Sequence, residues 1–186
     1  MNIQFAQFID DMTKLVGLQL PQNDVVMHAR KKLADLVKTS TWLPVELKQA
    51  RPDRYAQYLL HKDPQKRFSV VSFVWDTGHQ TPIHNHTVWG LVGVLEGAER
   101  CEEYALVNGQ PTATGHTHVM KPGDVEAVYP PDHDWHKVSN ALEKGVTVSI
   151  HVYGADIGEV NRHKLDASGS ISSFVSGYDV PGQLHA

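Results

Sequence analysis

Cysteine is nearly absent from this chain. Cys101 is the single one among 186 residues, which excludes an intramolecular disulfide framework and a zinc site built from several thiolates. No apolar run approaches the ~20 residues that span a bilayer. Asp10 and Asp11 stand ahead of any long apolar stretch, so the N-terminus does not read as a secretory signal. Neither sign of charge dominates, with 17 Lys and Arg against 21 Asp and Glu and a net charge of −4. That balance gives no reason to expect nucleic acid or a membrane as partner. Internal repeats and low-complexity linkers are missing as well. The 41% hydrophobic and 20% charged content is ordinary for a globular protein. The expectation is one cytoplasmic domain with a substantial core over residues 1–186.

The chain divides by periodicity. Residues 1–50 read as a helical layer: Phe5, Phe8, Ile9, Met12, Leu15 and Val16 follow the amphipathic helical pattern, and Gly17 and Pro21 end it. Asn23 or Asp24 is expected to cap a second helix that buries Val26, Ala29, Leu33, Leu36 and Val37. Pro44 is placed to start a short third one. From about residue 54 the period changes to two, and residues 51–167 read as a β-barrel. Strands are expected at 55–61, 68–75, 87–95, 100–107, 113–120, 125–129, 135–138, 146–153 and 160–165. Residues 168–186, rich in Gly and Ser, are expected to wrap loosely, with Phe174 and Tyr178 as anchors. Many short strands at such spacing suggest an all-β sandwich or barrel, a class that includes jelly rolls.

What the chain has in quantity is histidine, twelve in all. His28, His61, His163 and His185 stand in polar contexts and read as exposed. His84-Asn85-His86 differs. On a strand, residues i and i+2 point to one face, and two convergent neutral imidazoles suit a divalent transition metal. Spacing alone is weak evidence, because His116-Thr117-His118 shares it and reads as an outer-face or hairpin pair. Around the first pair, however, Gly78 precedes His84 by six residues, and Gly90 and Gly97 follow. This frame resembles the first cupin motif without its glutamate. Pro131, His136 and Asn140 resemble the second motif, with His133 where that motif has glycine. The ligand set implied is His84, His86 and His136, with no carboxylate. Three imidazoles suit Fe, Ni, Cu or Zn alike.

A second constellation is Ser149-Ile150-His151-Val152-Tyr153. Ser149, His151 and Tyr153 share one strand face, and Ile150 and Val152 take the other. If the apolar face packs under the helices, the polar row looks inward and must be hydrogen-bonded. A strand with one wet face is the plain alternative. A nucleophilic Ser–His pair is disfavoured by the missing acidic orienter and nucleophile-elbow glycines.

Three cupin histidines together with Ser-x-His-x-Tyr resemble the thiol dioxygenases, the cysteine dioxygenase family, over about residues 50–165. The stretch from Pro82 to Gly97 is similar to bacterial members. The resemblance implies a single cupin jelly-roll barrel with an N-terminal helical layer, a mononuclear Fe(II), and oxidation of a small thiol by O2 to a sulfinic acid. It also implies roles for Ser149, His151 and Tyr153 beside the metal. Gln57 stands where the cysteine-specific branch has a carboxylate-binding Arg, and Arg162, nine residues beyond Tyr153, matches the Arg that takes over the carboxylate in the Gln-type branch. That branch prefers 3-mercaptopropionate. L-cysteine dioxygenase activity is the alternative within the enzyme class, and a metal- or acid-binding cupin without turnover is the alternative outside it. Cys101 lies beyond Gly97, so no Cys–Tyr cross-link is expected and the thiol reads as an inert buried residue. The oligomeric state is left open.

Overall fold

A computed structural model describes residues 2–131 and 133–182; Asp132 and His185 lie outside the described residues. Two helices open the chain, α1 (Ile3–Gly17) and α2 (Gln22–Leu36), followed by a 3-10 turn at Val45–Lys48. Asn2 caps α1, its side chain accepting from the Gln4 N–H at 2.9 Å. The N-cap of α2 is Pro21 rather than Asn23 or Asp24. Its ring fixes φ for entry into the helix, and Asp24 instead falls in the first turn, where its charge complements the helix dipole.

Ten strands follow: β1 (Ala56–Lys62), β2 (Ser69–Trp75), β3 (Gly90–Glu96), β4 (Glu99–Val107), β5 (Gln110–Met120), β6 (Val125–Val128), β7 (Trp135–Asn140), β8 (Thr147–Tyr153), β9 (Arg162–Leu165) and β10 (Ile171–Phe174). Among the described residues they form a five-stranded sheet β1-β2-β8-β3-β6, a three-stranded sheet β5-β4-β7 and a two-stranded sheet β10-β9. Residues 80–85 join the last two. Gln80 bridges Ser139, and His84 bridges His136 on one side and Lys164 on the other. The two layers face each other, with Phe73 and Trp75 of β2 and Tyr153 of β8 clustered against Val138 of β7.

The protein is therefore mostly β with helices at its N-terminus, but strand pairing does not close into the expected barrel among the described residues. The two edge strands of the five-stranded sheet, β6 and β1, are each met by a side chain from elsewhere in the chain. Arg30 of α2 donates through Nε and Nη2 to the Val125 carbonyl of β6, at 3.0 and 2.8 Å. The Asp179 carboxylate accepts from the Gln57 N–H of β1 at 2.8 Å. Covering the edges removes a template for pairing with other chains.

The central strands of the five-stranded sheet, β2, β8 and β3, are buried on both faces. Val148, Ile150 and Val152 of β8 pack in one cluster with Met12, Leu33 and Val37 from the helical layer. Burying each such side chain contributes about 1.5–3 kcal/mol. The alternate residues of β8 face the other layer, which is the arrangement the alternating sequence requires. Gly97, at φ +81°, makes the turn between β3 and β4, where a Cβ would meet Thr147.

Three elements differ from expectation. The strand expected from Thr87 begins at Gly90, because Thr87 takes a left-handed φ of +59°. The described part of the tail, residues 168–182, is not loose: Ile171–Phe174 pairs with β9, and Tyr178 donates to Asp156 at 2.5 Å while accepting from the Gly158 N–H at 3.0 Å. Arg54 grips Asp179 through both guanidinium nitrogens, at 2.5 and 3.0 Å. His61, expected to be exposed, is half-buried against Phe68.

Candidate metal centre and its pocket

His84 and His86 do not lie on a regular strand. They sit on the extended segment pinned between β7 and β9, where the backbone groups of His84 and His136 exchange two hydrogen bonds at 2.9 and 3.0 Å. That reciprocal pairing sets His84 beside His136. The three ring centroids are 4.8–4.9 Å apart, and one ligand nitrogen from each lies within 4.8 Å of the others. All three residues are buried.

The second nitrogen of each ring is already engaged. His84 Nδ1 lies 3.1 Å from the Pro82 carbonyl, His86 Nδ1 lies 3.1 Å from Asp134 Oδ1, and His136 Nδ1 lies 3.6 Å from Cys101 Sγ. With each Nδ1–H donated outward, the three Nε2 lone pairs are left for an ion. Burial, reinforced by neighbouring histidines, holds the pKa of His84 and of His136 well below the usual range. Neutral imidazoles are the ligating form. The donor set thus fits a divalent transition metal.

Asp134 was not singled out by the sequence. It accepts from the His86 N–H at 2.8 Å and the Thr87 N–H at 3.1 Å as well as from the His86 ring. The carboxylate fixes both the backbone turn at Thr87 and the tautomer of His86. Its one sequence signal is its place two residues before His136.

Ser149, His151 and Tyr153 form a continuous hydrogen-bonded row on the inner face of β8. Ser149 Oγ to His151 Nε2 is 2.9 Å, and His151 Nδ1 to the Tyr153 hydroxyl is 2.9 Å. Trp75 Nε1–H donates to Ser149 Oγ at 3.1 Å. Phe73 stacks on His151 with centroids 4.1 Å apart. The Tyr153 ring stacks on His86 at 5.6 Å, and Gly90 makes room for it, since a Cβ there would come within 3.0 Å of the ring. Burial pushes the Tyr153 hydroxyl up and His151 down, so both are neutral near pH 7. Behind the row lies Glu99, also missed in the sequence. It is fully buried, its Oε2 has no hydrogen-bond partner, and burial raises its pKa to about 7.

A cavity of about 120 Å³ opens onto the three histidines and is also lined by Gln57, Tyr153 and Arg162. Drug-sized sites run to roughly 300–1,000 Å³, so this one suits a ligand of few heavy atoms. Arg162 is 3% exposed. Its Nη2 donates to Ser176 Oγ at 2.6 Å, and its guanidinium lies 4.6 Å from the centre of the Phe174 ring. Its buried Nε has no hydrogen-bond partner and it makes no ion pair among the described residues. Gln57 is buried on the same wall. The structure thus brings all eight singled-out residues to one pocket or to the row behind it.

No family model matches the chain. Solved structures similar to it are cupin or double-stranded β-helix proteins. An uncharacterized conserved protein with a double-stranded β-helix domain from Klebsiella pneumoniae aligns with a TM-score of 0.49 and 13% identity, over 72% of this chain and 96% of its own. A cupin 2 conserved barrel domain protein from Rhodopseudomonas palustris gives 0.47 and 18%, over 66% and 76%. An oxalate oxidase in complex with the substrate analogue glycolate gives 0.46 and 14%, over 61% and 59%. The architecture described above stands on this chain's own strand pairing. No described helix is long and apolar enough to cross a membrane.

Proposed function

We propose that this protein is a cupin of the thiol dioxygenase kind, a non-haem Fe(II) enzyme that oxidises a small carboxylated thiol to its sulfinic acid with O2. The substrate assigned is 3-mercaptopropionate. The observation that carries the reading is Arg162. A buried guanidinium without a counter-ion is costly, and this one lines a small cavity shared with three neutral imidazoles. A ligand that brings a carboxylate to Arg162 and a sulfur to the histidines answers both features.

His84, His86 and His136 would hold the ion through Nε2. When bound, a ferrous ion lowers the proton affinity of a coordinated thiol and supplies the redox chemistry. A site without a ligand carboxylate leaves the ion's charge open to an anionic thiolate. Arg162 clamps the substrate carboxylate in a bidentate pair, and Phe174 holds the guanidinium plane from the other side. Tyr153, kept protonated by burial, offers its hydroxyl to the pocket, and His151 and Ser149 fix its direction. Tyr55, Phe73 and Trp75 form an aromatic wall that limits water. The partners are the thiol and O2.

The test is anaerobic Fe(II) loading followed by O2 uptake and product analysis with a panel of thiols. Arg162→Lys keeps the charge and loses the planar fork. It is expected to weaken carboxylated thiols by about 1–3 kcal/mol, or about 5–150-fold, and to leave thiols without a carboxylate unchanged. Equal losses for both would remove Arg162 from the substrate site. Gln57 offers a neutral amide where an Arg would offer a second charged hold. Wild type is therefore expected to favour 3-mercaptopropionate over L-cysteine in kcat/KM, and Gln57→Arg to narrow the gap. A wild type that prefers L-cysteine would transfer the reading to cysteine dioxygenase.

A further inference from the structure

The second His-x-His pair has no part in that function, yet His118 stands in a built cluster. β4 and β5 pair so that Cys101 lies directly opposite His118. Directly opposed residues on antiparallel strands carry Cβ atoms about 4.5–5.5 Å apart, close enough for both side chains to reach one ion. β6, from the other layer, brings up Glu126, whose Oε2 lies 2.7 Å from His118 Nε2. The three ligand atoms all lie within 4.8 Å of one another. A cavity of about 140 Å³ is lined by Cys101 and Glu126 of the cluster, together with His116, His133 and His136.

We propose that Cys101, His118 and Glu126 form a second metal site, for a divalent ion of the zinc class, that staples the β4–β5 hairpin to β6. Thiolate, imidazole and carboxylate are each ordinary zinc ligands, and three protein ligands with one water complete a tetrahedron. Binding replaces the Cys101 S–H bond by a metal–sulfur bond and releases that proton to solvent. The His118 proton moves to Nδ1 so that Nε2 can ligate. The site shares no residue with the three histidines, although Cys101 Sγ lies 3.6 Å from His136 Nδ1. The proposal is independent of thiol oxidation.

The metal-free full chain is titrated with Zn²⁺ and, in parallel, with Co²⁺. Wild type is expected to bind two equivalents, and His86→Ala, Cys101→Ser and His118→Ala one each. A thiolate-to-cobalt charge-transfer absorption is expected in wild type and in His86→Ala, and it is expected to be lost in Cys101→Ser. His118 is partly exposed, so His118→Ala keeps the fold and decides the matter even if Cys101→Ser does not fold. A chain in which no bound equivalent depends on His118 overturns the proposal. Loss of the His86-dependent equivalent alone would count against the inner site and leave this one standing.

Discussion

His84–His86 and His116–His118 share one spacing and meet different surroundings. The first pair is on an irregular segment pinned on both sides, buried, with each Nδ1 held by a carbonyl or carboxylate. The second is on a hairpin strand at a bulge, where Thr114, Gly115 and His116 stand against Glu103 and Gly115 takes φ +84°; His116 is exposed and His118 lies half-buried on Glu126. Neither pair lies on an unbroken strand, and only the first is gathered with a third imidazole. What gathers them is the backbone pairing of His84 with His136 and the carboxylate of Asp134. Spacing sets direction, while burial and the partner on the far nitrogen set whether an imidazole is ready to ligate.

The strongest way to break this contrast is to remove one ring at a time. His86→Ala is expected to abolish iron retention, because two histidines remain of three, while His116→Ala should leave it intact. Metal analysis after gel filtration of the Fe(II)-loaded proteins reads both. Full iron occupancy in His86→Ala would end the assignment of the inner site.

A subtler substitution leaves every ligand in place. Asp134→Asn keeps the shape and removes the charge that holds His86 Nδ1–H. Partners of this kind are worth about 10–100-fold in metal affinity, and chelator competition is expected to show a loss of that size. An unchanged affinity would mean that the backbone alone orients His86.

Burial also acts on Glu99, the acid behind the row. Its pKa is raised from 4.5 to about 7, so between those values the unfolded chain has released a proton that the folded one retains. The folded state binds more protons, and stability falls as pH rises through the window, by up to about 3 kcal/mol above pH 7. Glu99→Gln carries no such charge. Denaturant unfolding of the metal-free proteins should show the variant gaining on wild type by about that amount from pH 4.5 to above 7. A difference that does not vary with pH would mean that Glu99 ionises as freely when folded as when unfolded.

The strand sequence is legible where an apolar run or a period-two alternation lasts a full strand, as in Ser69–Trp75 and Thr147–Tyr153 respectively. It was not legible in Ile171-Ser172-Ser173-Phe174, where two serines sit inside a four-residue strand that exists by pairing with β9. The two layers without closure were hidden as well, because coverage of β6 by Arg30 and of β1 by Asp179 joins residues far apart in sequence. At the site, the histidines and the Ser149–Tyr153 row stand out through motif and alternation. Asp134 and Glu99 do not, because a lone carboxylate has no period and its meaning comes from what packs on it. Gln57 and Arg162 looked like ordinary strand residues apart from the resemblance. Only the tertiary fold puts them on one wall.

The irregular segment that carries His84 and His86 has a consequence for how the protein is made. His136 follows His86 by 50 residues, which at roughly 5–20 residues per second is about 3–10 s of translation. Until then the emerging chain holds two imidazoles with neither Asp134 nor a β7 backbone to orient them. Arg162 and Phe174 emerge later still. Capture of an ion by all three histidines is thereby deferred until β7 has emerged, and a ribosome stalled before β7 leaves behind a fragment with two of the three ligands.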